Sequence, residues 1–152
     1  MPDMRFNHME LTLAKGELTA HREEIRSFYQ ELLGWEGLDV PILKQTGLLL
    51  RTDPETSQFI LVTQVDEPLQ SPGFDHLGLI YETRAEVDVL LERCKKWQAR
   101  DDRVRIKEYE DLETGGGTVH AFYVKFLLPI WFDIQCMEWA EGQAPAKSWH
   151  YA

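Results

Sequence analysis

One short phrase occurs twice in this chain. Phe6-Asn7-His8-Met9-Glu10-Leu11 and Phe74-Asp75-His76-Leu77-Gly78-Leu79 both read Phe-[Asn/Asp]-His-apolar-x-Leu, and each precedes a helical pattern. The elements after each phrase also repeat, which predicts two copies of one supersecondary unit. The period is close to half of the 152 residues, so the copies read as halves of a single domain.

In the first copy, alternation places Met9, Leu11 and Leu13 on one strand face and His8, Glu10 and Thr12 on the other. A helix is predicted over 20–33, with Ile25, Phe28, Tyr29, Leu32 and Leu33 as its buried stripe, Thr19 as N-cap and Gly34 past its end. Strands follow at 35–38, 48–51 and 58–63, with Asp53-Pro54 breaking the chain between the last two. In the second copy, Leu77, Leu79 and Tyr81 are the apolar face, opposite His76. Thr83-Arg84-Ala85-Glu86 is a capping box, and Val87, Leu90, Leu91, Cys94 and Trp97 form the helix stripe. Strands are expected at 104–109, 119–125 and 132–138, with Gly115-Gly116-Gly117 as a hairpin turn between the first two. A phosphate cradle is the weaker reading of these glycines, because no helix pattern follows them.

Each half is therefore β-α-β-β-β, over 5–66 and 73–139, with a tail at 140–152. The predicted class is α+β: two βαβββ modules forming an open, curved mixed-sheet barrel around a central cavity, helices outside and both histidines inside.

The formal charge of −10 argues against nucleic acid or an anionic membrane as partner, since both need clustered Lys and Arg. No apolar run approaches the roughly 20 residues of a spanning helix, and the start lacks the pattern of a signal peptide. Cys94 and Cys136 lie far apart without metal or redox spacing, which fits buried thiols in a reducing cytoplasm.

Two histidines at equivalent places in two repeats converge on one centre, the arrangement a shared metal ion needs; the plain alternative is a pair of hydrogen-bonded core groups. On the last strand Asp133 and Gln135 share the face opposite Phe132, Ile134 and Cys136. The candidate ligands are His8, His76 and Gln135, with Glu10 and Asp133 as proton-moving carboxylates. His120, at the start of a strand, reads as a cap or a base. There is no Gly-x-Ser-x-Gly elbow, and neither cysteine adjoins a histidine in sequence.

These histidine strands, with Phe28-Tyr29-Gln30-Glu31-Leu32-Leu33-Gly34-Trp35 and Ala121-Phe122-Tyr123-Val124, resemble the vicinal oxygen chelate superfamily over about residues 5 to 139. That group includes glyoxalases, bleomycin- and fosfomycin-resistance proteins and extradiol dioxygenases. The resemblance implies paired modules, commonly a homodimer, and a divalent metal (Zn, Fe, Mn or Ni). His8 and His76 match its first-strand ligands and Gln135 its last-strand glutamate, while Leu61 stands where the first module would supply an acid. Two departures stand out: the acidic positions are Leu and Gln, and Leu127-Leu128-Pro129-Ile130 replaces the usual Asp-Pro-Asp-Gly turn. Such an apolar tip is expected to need cover, from the Trp149/Tyr151 tail or from a second subunit. Three functions follow as expectations. The first is an enzyme using a metal Lewis acid on a small oxygenated substrate. The second is a metal-free protein that sequesters a ligand, and the third a structural dimer with a filled cavity.

Overall fold

The structure is a computed structural model in which residues 4–146 are described. The first half runs β1 (His8–Ala14), α1 (Glu17–Leu33), β2 (Glu36–Ile42), β3 (Gln45–Arg51) and β4 (Phe59–Val65). The second runs β5 (His76–Tyr81), α2 (Arg84–Gln98), β6 (Arg105–Glu108), β7 (Leu112–Thr114), β8 (Gly117–Lys125) and β9 (Trp131–Trp139). Each half builds its own sheet, in the order β1-β4-β3-β2 and β5-β9-β8-β6, with β7 paired to β8. In both, the first strand lies parallel to the last and the others are antiparallel. Two α+β modules with open sheets of mixed direction are thus the architecture.

Alternation decides which face meets the helices. Leu11, Leu48, Leu50 and Val62 are fully buried on the helix side of the first sheet and Phe122, Val124, Phe132 and Ile134 on that of the second, where Phe132 reaches Tyr29 of α1. The two helix layers merge into one apolar core: Phe28 of α1 packs on Phe126 with ring centroids 4.5 Å apart and on Trp97 of α2 at 5.3 Å. An apolar core is non-directional and joins any faces brought together. Here it joins sheets that share no strand pairing among the described residues.

Three local expectations change. Helix α1 begins at Glu17, preceded by Gly16 at φ 90°, and no side chain caps it. Thr19 lies inside the first turn, where its free amide donates to Gln64 Oε1 at 3.2 Å. The cap comes from a neighbouring strand, which local sequence does not reveal. Strand β7 was not anticipated, and the glycine turn joins β7 to β8.

The apolar tip is the third change. Phe126, Leu128 and Ile130 are buried in this chain's own core, and the Phe126 carbonyl accepts a 2.9 Å hydrogen bond from the Tyr29 hydroxyl. The turn closes through the Leu128 amide donating to the Phe126 carbonyl at 2.7 Å, with Leu127 at φ 56°. The tip thus folds into the core, beside Phe126, which packs on Phe28 and Trp97 and bonds Tyr29. Trp149 and Tyr151 lie outside the described residues.

Two helix caps match their sequence signals. Gly34 ends α1 at φ 74° with its amide donating to the Gln30 carbonyl, and Thr83 and Glu86 exchange both hydrogen bonds of a capping box. Both cysteines are free and buried, and burial pushes the Cys94 thiol up to about 12. Among the described residues no helix is long and apolar enough to cross a membrane.

Candidate functional site

The faces turned away from the helices carry the candidate residues. On β5 this face presents His76, Gly78 and Ile80; on the central β9 it presents Asp133 and Gln135, which pair in register with Gly78 and Ile80. On β8 it presents Ala121 and Tyr123, opposite Gln135 and Asp133. One side of a single sheet therefore gathers His76, Tyr123, Asp133 and Gln135. Gly78 makes the room: a Cβ there would lie 3.1 Å from Gln135 Nε2, so the amide side chain lies across the glycine.

Asp133 is the one charged side chain buried among the described residues. Its Oδ2 stands 3.8 Å from His76 Nε2, and its Oδ1 is buried without a hydrogen-bond partner. An unpartnered buried carboxylate oxygen is costly, and burial raises the Asp133 pKa against the pull of His76. The Tyr123 hydroxyl lies 3.5 Å from His76 Nε2, with the two rings in contact at 4.6 Å.

The tautomers follow from the partners. His76 Nδ1 lies 2.8 Å from the Phe74 carbonyl, which can only accept, so Nδ1 carries a proton and Nε2 faces Asp133 and Tyr123. His8 Nδ1 lies 2.7 Å from Asn7 Oδ1; the Asn7 amide nitrogen donates to the Ser57 carbonyl, which fixes that oxygen as an acceptor. Both repeats thus hold the imidazole by Nδ1 and leave Nε2 for other work. The partner differs, however, a side-chain amide in one repeat and a backbone carbonyl in the other.

The remaining candidates lie elsewhere. His8 stacks on Phe59 at 5.0 Å on the first sheet, and Glu10 accepts from Thr63 Oγ1 at 2.7 Å on the same sheet. No Cα of β1 comes within 8 Å of one in β5. Between them an apolar cleft of about 540 Å³ opens, lined by Phe6, His8, Trp35, Phe59, Leu79 and Ile80 among others. His76 is not among its walls. His120 is on the helix side of β8, between Asp111 at 2.8 Å and Asp88 at 2.7 Å, with Arg84 also on Nδ1 at 2.8 Å. Burial opposes its protonation, but the two carboxylates outweigh it and raise its pKa. It is neither a plain strand cap nor a base facing the site.

A resident metal ion would have to draw on this donor set. Nδ1 of each histidine is held as ligating imidazoles require, while Nε2 of His76 faces Tyr123 and Asp133. Acids are missing where the resemblance would place them, at Leu61 and Gln135, and among the described residues no three His, Cys, Asp or Glu side chains are grouped to hold an ion. Within one chain the donors do not fit a metal.

Sequence reasoning passed over Tyr123 as a site residue. Its signal was present in β8, where buried Phe122 and Val124 force Tyr123 onto the His76 face by alternation.

Neither a family model nor a curated protein matches the chain. Solved structures do. A protein of Bacillus anthracis assigned to the glyoxalase family superposes with TM-score 0.63 at 16% identity, covering 91% of this chain and 98% of that one. The fosfomycin resistance protein FosX of Listeria monocytogenes, solved with Mn(II) and sulfate, gives TM-score 0.60 at 17% identity over 90% and 92%. A virulence protein of Salmonella typhimurium gives 0.58 at 19% identity over 90% and 99%. The fold is the one these glyoxalase-family and fosfomycin-resistance structures share. At such identities the likeness extends to the fold alone, and chemistry has to be argued from this chain's residues.

Proposed function

We propose that this protein processes a small molecule on the open face of its second sheet, with His76 and Asp133 handling a proton and Gln135 and Tyr123 orienting the substrate. The observation that carries this reading is Asp133, buried on that face with Oδ1 unpartnered and Oδ2 3.8 Å from His76 Nε2. A fold tolerates such a group where a substrate supplies the missing partner. With Nδ1 committed to the Phe74 carbonyl, Nε2 is the atom at which His76 would take up or release a proton, and a carboxyl whose pKa burial has raised suits the complementary role. Glu10, engaged by Thr63 on the other sheet, is left out of this chemistry.

A homodimer is part of the reading. Both β1 and β5 are edge strands, and exposed Phe6 and Ile80 flank them. Unpaired edges are templates for pairing, and a two-fold dimer would join such edges twice. A divalent metal shared by His8, His76 and Gln135 would need donors that one chain does not group, so no step is assigned to an ion. The apolar cleft favours a second reading, in which the protein binds and sequesters a ligand without converting it.

Turnover of hemithioacetals, epoxides and catechols by the wild type, Asp133→Asn and His76→Gln separates the two. Conversion that falls at least about a hundredfold in both variants is expected. Conversion indifferent to both removes the proposed centre, and tight binding without conversion favours sequestration.

A further inference from the structure

The same sheet face holds an unusual concentration of positive charge for so acidic a chain. Alternation on β6 sends Ile106 to the core and Glu108 to the helix side, where it meets Lys95 at 3.2 Å; Arg105 and Lys107 therefore point to the His76 face. Lys125 joins them from β8, in register with Arg105, and Lys107 is in register with Tyr123. Like charges directly opposed on neighbouring strands repel. Burial, and then Arg105, lower the Lys125 pKa.

Most cations elsewhere are matched: Arg22, Arg51, Arg84 and Arg103 each meet a carboxylate. Arg105, Lys107 and Lys125 have no carboxylate partner among the described residues. What they face instead is aromatic. Lys107 Nζ lies 3.9 Å from the Phe74 ring centroid and 5.2 Å from that of Tyr109, and the Arg105 guanidinium lies 4.9 Å from the Trp131 ring. Tyr109 packs on Tyr123 at 4.7 Å, which carries the aromatic surface on to His76. Two acidic groups lie nearby: Asp102, which lines a pocket with Phe74, Arg105, Lys107 and Trp131, and the buried Asp133 itself.

We infer that the substrate is a planar or aromatic small molecule bearing an oxyanion such as a carboxylate. Arg105, Lys107 and Lys125 take the anion, Tyr109 and Tyr123 take the flat body, and the reacting end reaches His76 and Asp133. The inference rests on the second-sheet reading above and names the substrate class for it. An anion would relieve the Arg105–Lys125 repulsion, and charge-assisted hydrogen bonds would fix its orientation. The aromatic rings supply area that tolerates different bodies.

Isothermal titration calorimetry with benzoate, 2-naphthoate and indole-3-acetate, each against its neutral alcohol, tests this on the full chain. At least one acid is expected to bind about tenfold more tightly than its alcohol. The preference should shrink as salt is added and vanish in Arg105→Gln/Lys107→Gln, and it should survive in Lys96→Gln, which removes one exposed charge from α2. The inference is overturned if no acid outbinds its alcohol, if the preference persists in the double variant, or if Lys96→Gln abolishes it equally. Circular dichroism of the double variant confirms that it is folded. Loss of the anion preference leaves the His76–Asp133 chemistry standing, and indifference of turnover to Asp133→Asn leaves the anion preference standing.

Discussion

At the scale of single residues, one carboxylate separates what stabilises this protein from what it is proposed to do. Asp133 sits at the centre of a sheet with an oxygen that nothing satisfies. Because burial raises its pKa in the fold, the native state binds this proton more tightly than the unfolded chain does. The contribution of Asp133 to stability is therefore most favourable below about 3.8, its ordinary value, and is lost as pH rises through the higher folded pKa. Asp133→Asn is accordingly expected to stabilise the protein at pH 7 by about 1 kcal/mol. The gain should fade as the pH falls towards 3.8, read from urea melts at several pH values. Equal stability of variant and wild type at pH 7 would show that the unpartnered oxygen carries no cost. His76 and Gln135 were legible as candidates from the doubled phrase and from alternation on β9. That Asp133 is buried while Gln135 on the same strand face is only half-buried was not, because burial depends on β5 and β8 closing over both sides of β9.

At the scale of elements, the two helices reach similar ends by different routes. Helix α2 starts on a capping box written in four consecutive residues, with Thr83 Oγ1 accepting from the Glu86 amide at 3.2 Å. Helix α1 starts on Gly16 and borrows Gln64 from β4. Thr83→Ala should thus cost about 1 kcal/mol of stability, a typical loss for a side-chain cap. Thr19→Ala should cost clearly less, since its hydroxyl only receives a 3.4 Å contact from Gln64. Chemical denaturation of the two variants side by side checks the difference. Equal losses would mean that Thr19 caps α1 in solution. A local cap can be read from sequence because its donor and acceptor lie three residues apart. The cap from β4 lies 45 residues away, and no local pattern encodes it.

At the scale of the whole molecule, two sheets with no strand pairing between them among the described residues are held by one core. The edges β1 and β5 stay open on either side of the apolar cleft. Phe6 is 89% exposed and Ile80 68%, so neither contributes to that core. Sedimentation equilibrium is expected to show a homodimer, and Phe6→Asp/Ile80→Asp to shift it to a monomer with unchanged circular dichroism. A wild type that sediments as a monomer at micromolar concentration would refute edge-to-edge pairing.

The β-α-β-β-β order of each half apart from the extra strand β7, the helix stripes, the inward and outward faces of β1, β5 and β9 and the matched histidines were written in the chain itself. Hydrophobic periodicity and turn chemistry are properties of neighbouring residues, and a repeat declares itself by comparison alone. Long-range packing decided the rest. It turned the apolar 127–130 tip into the core beside Phe126, and it set His8 on a different sheet from His76. It also brought Arg105, Lys107 and Lys125 onto the face of His76 and Asp133. Those outcomes depend on which surfaces meet, and burial is non-directional: a sequence specifies which faces must be covered and leaves to the folded chain what covers them.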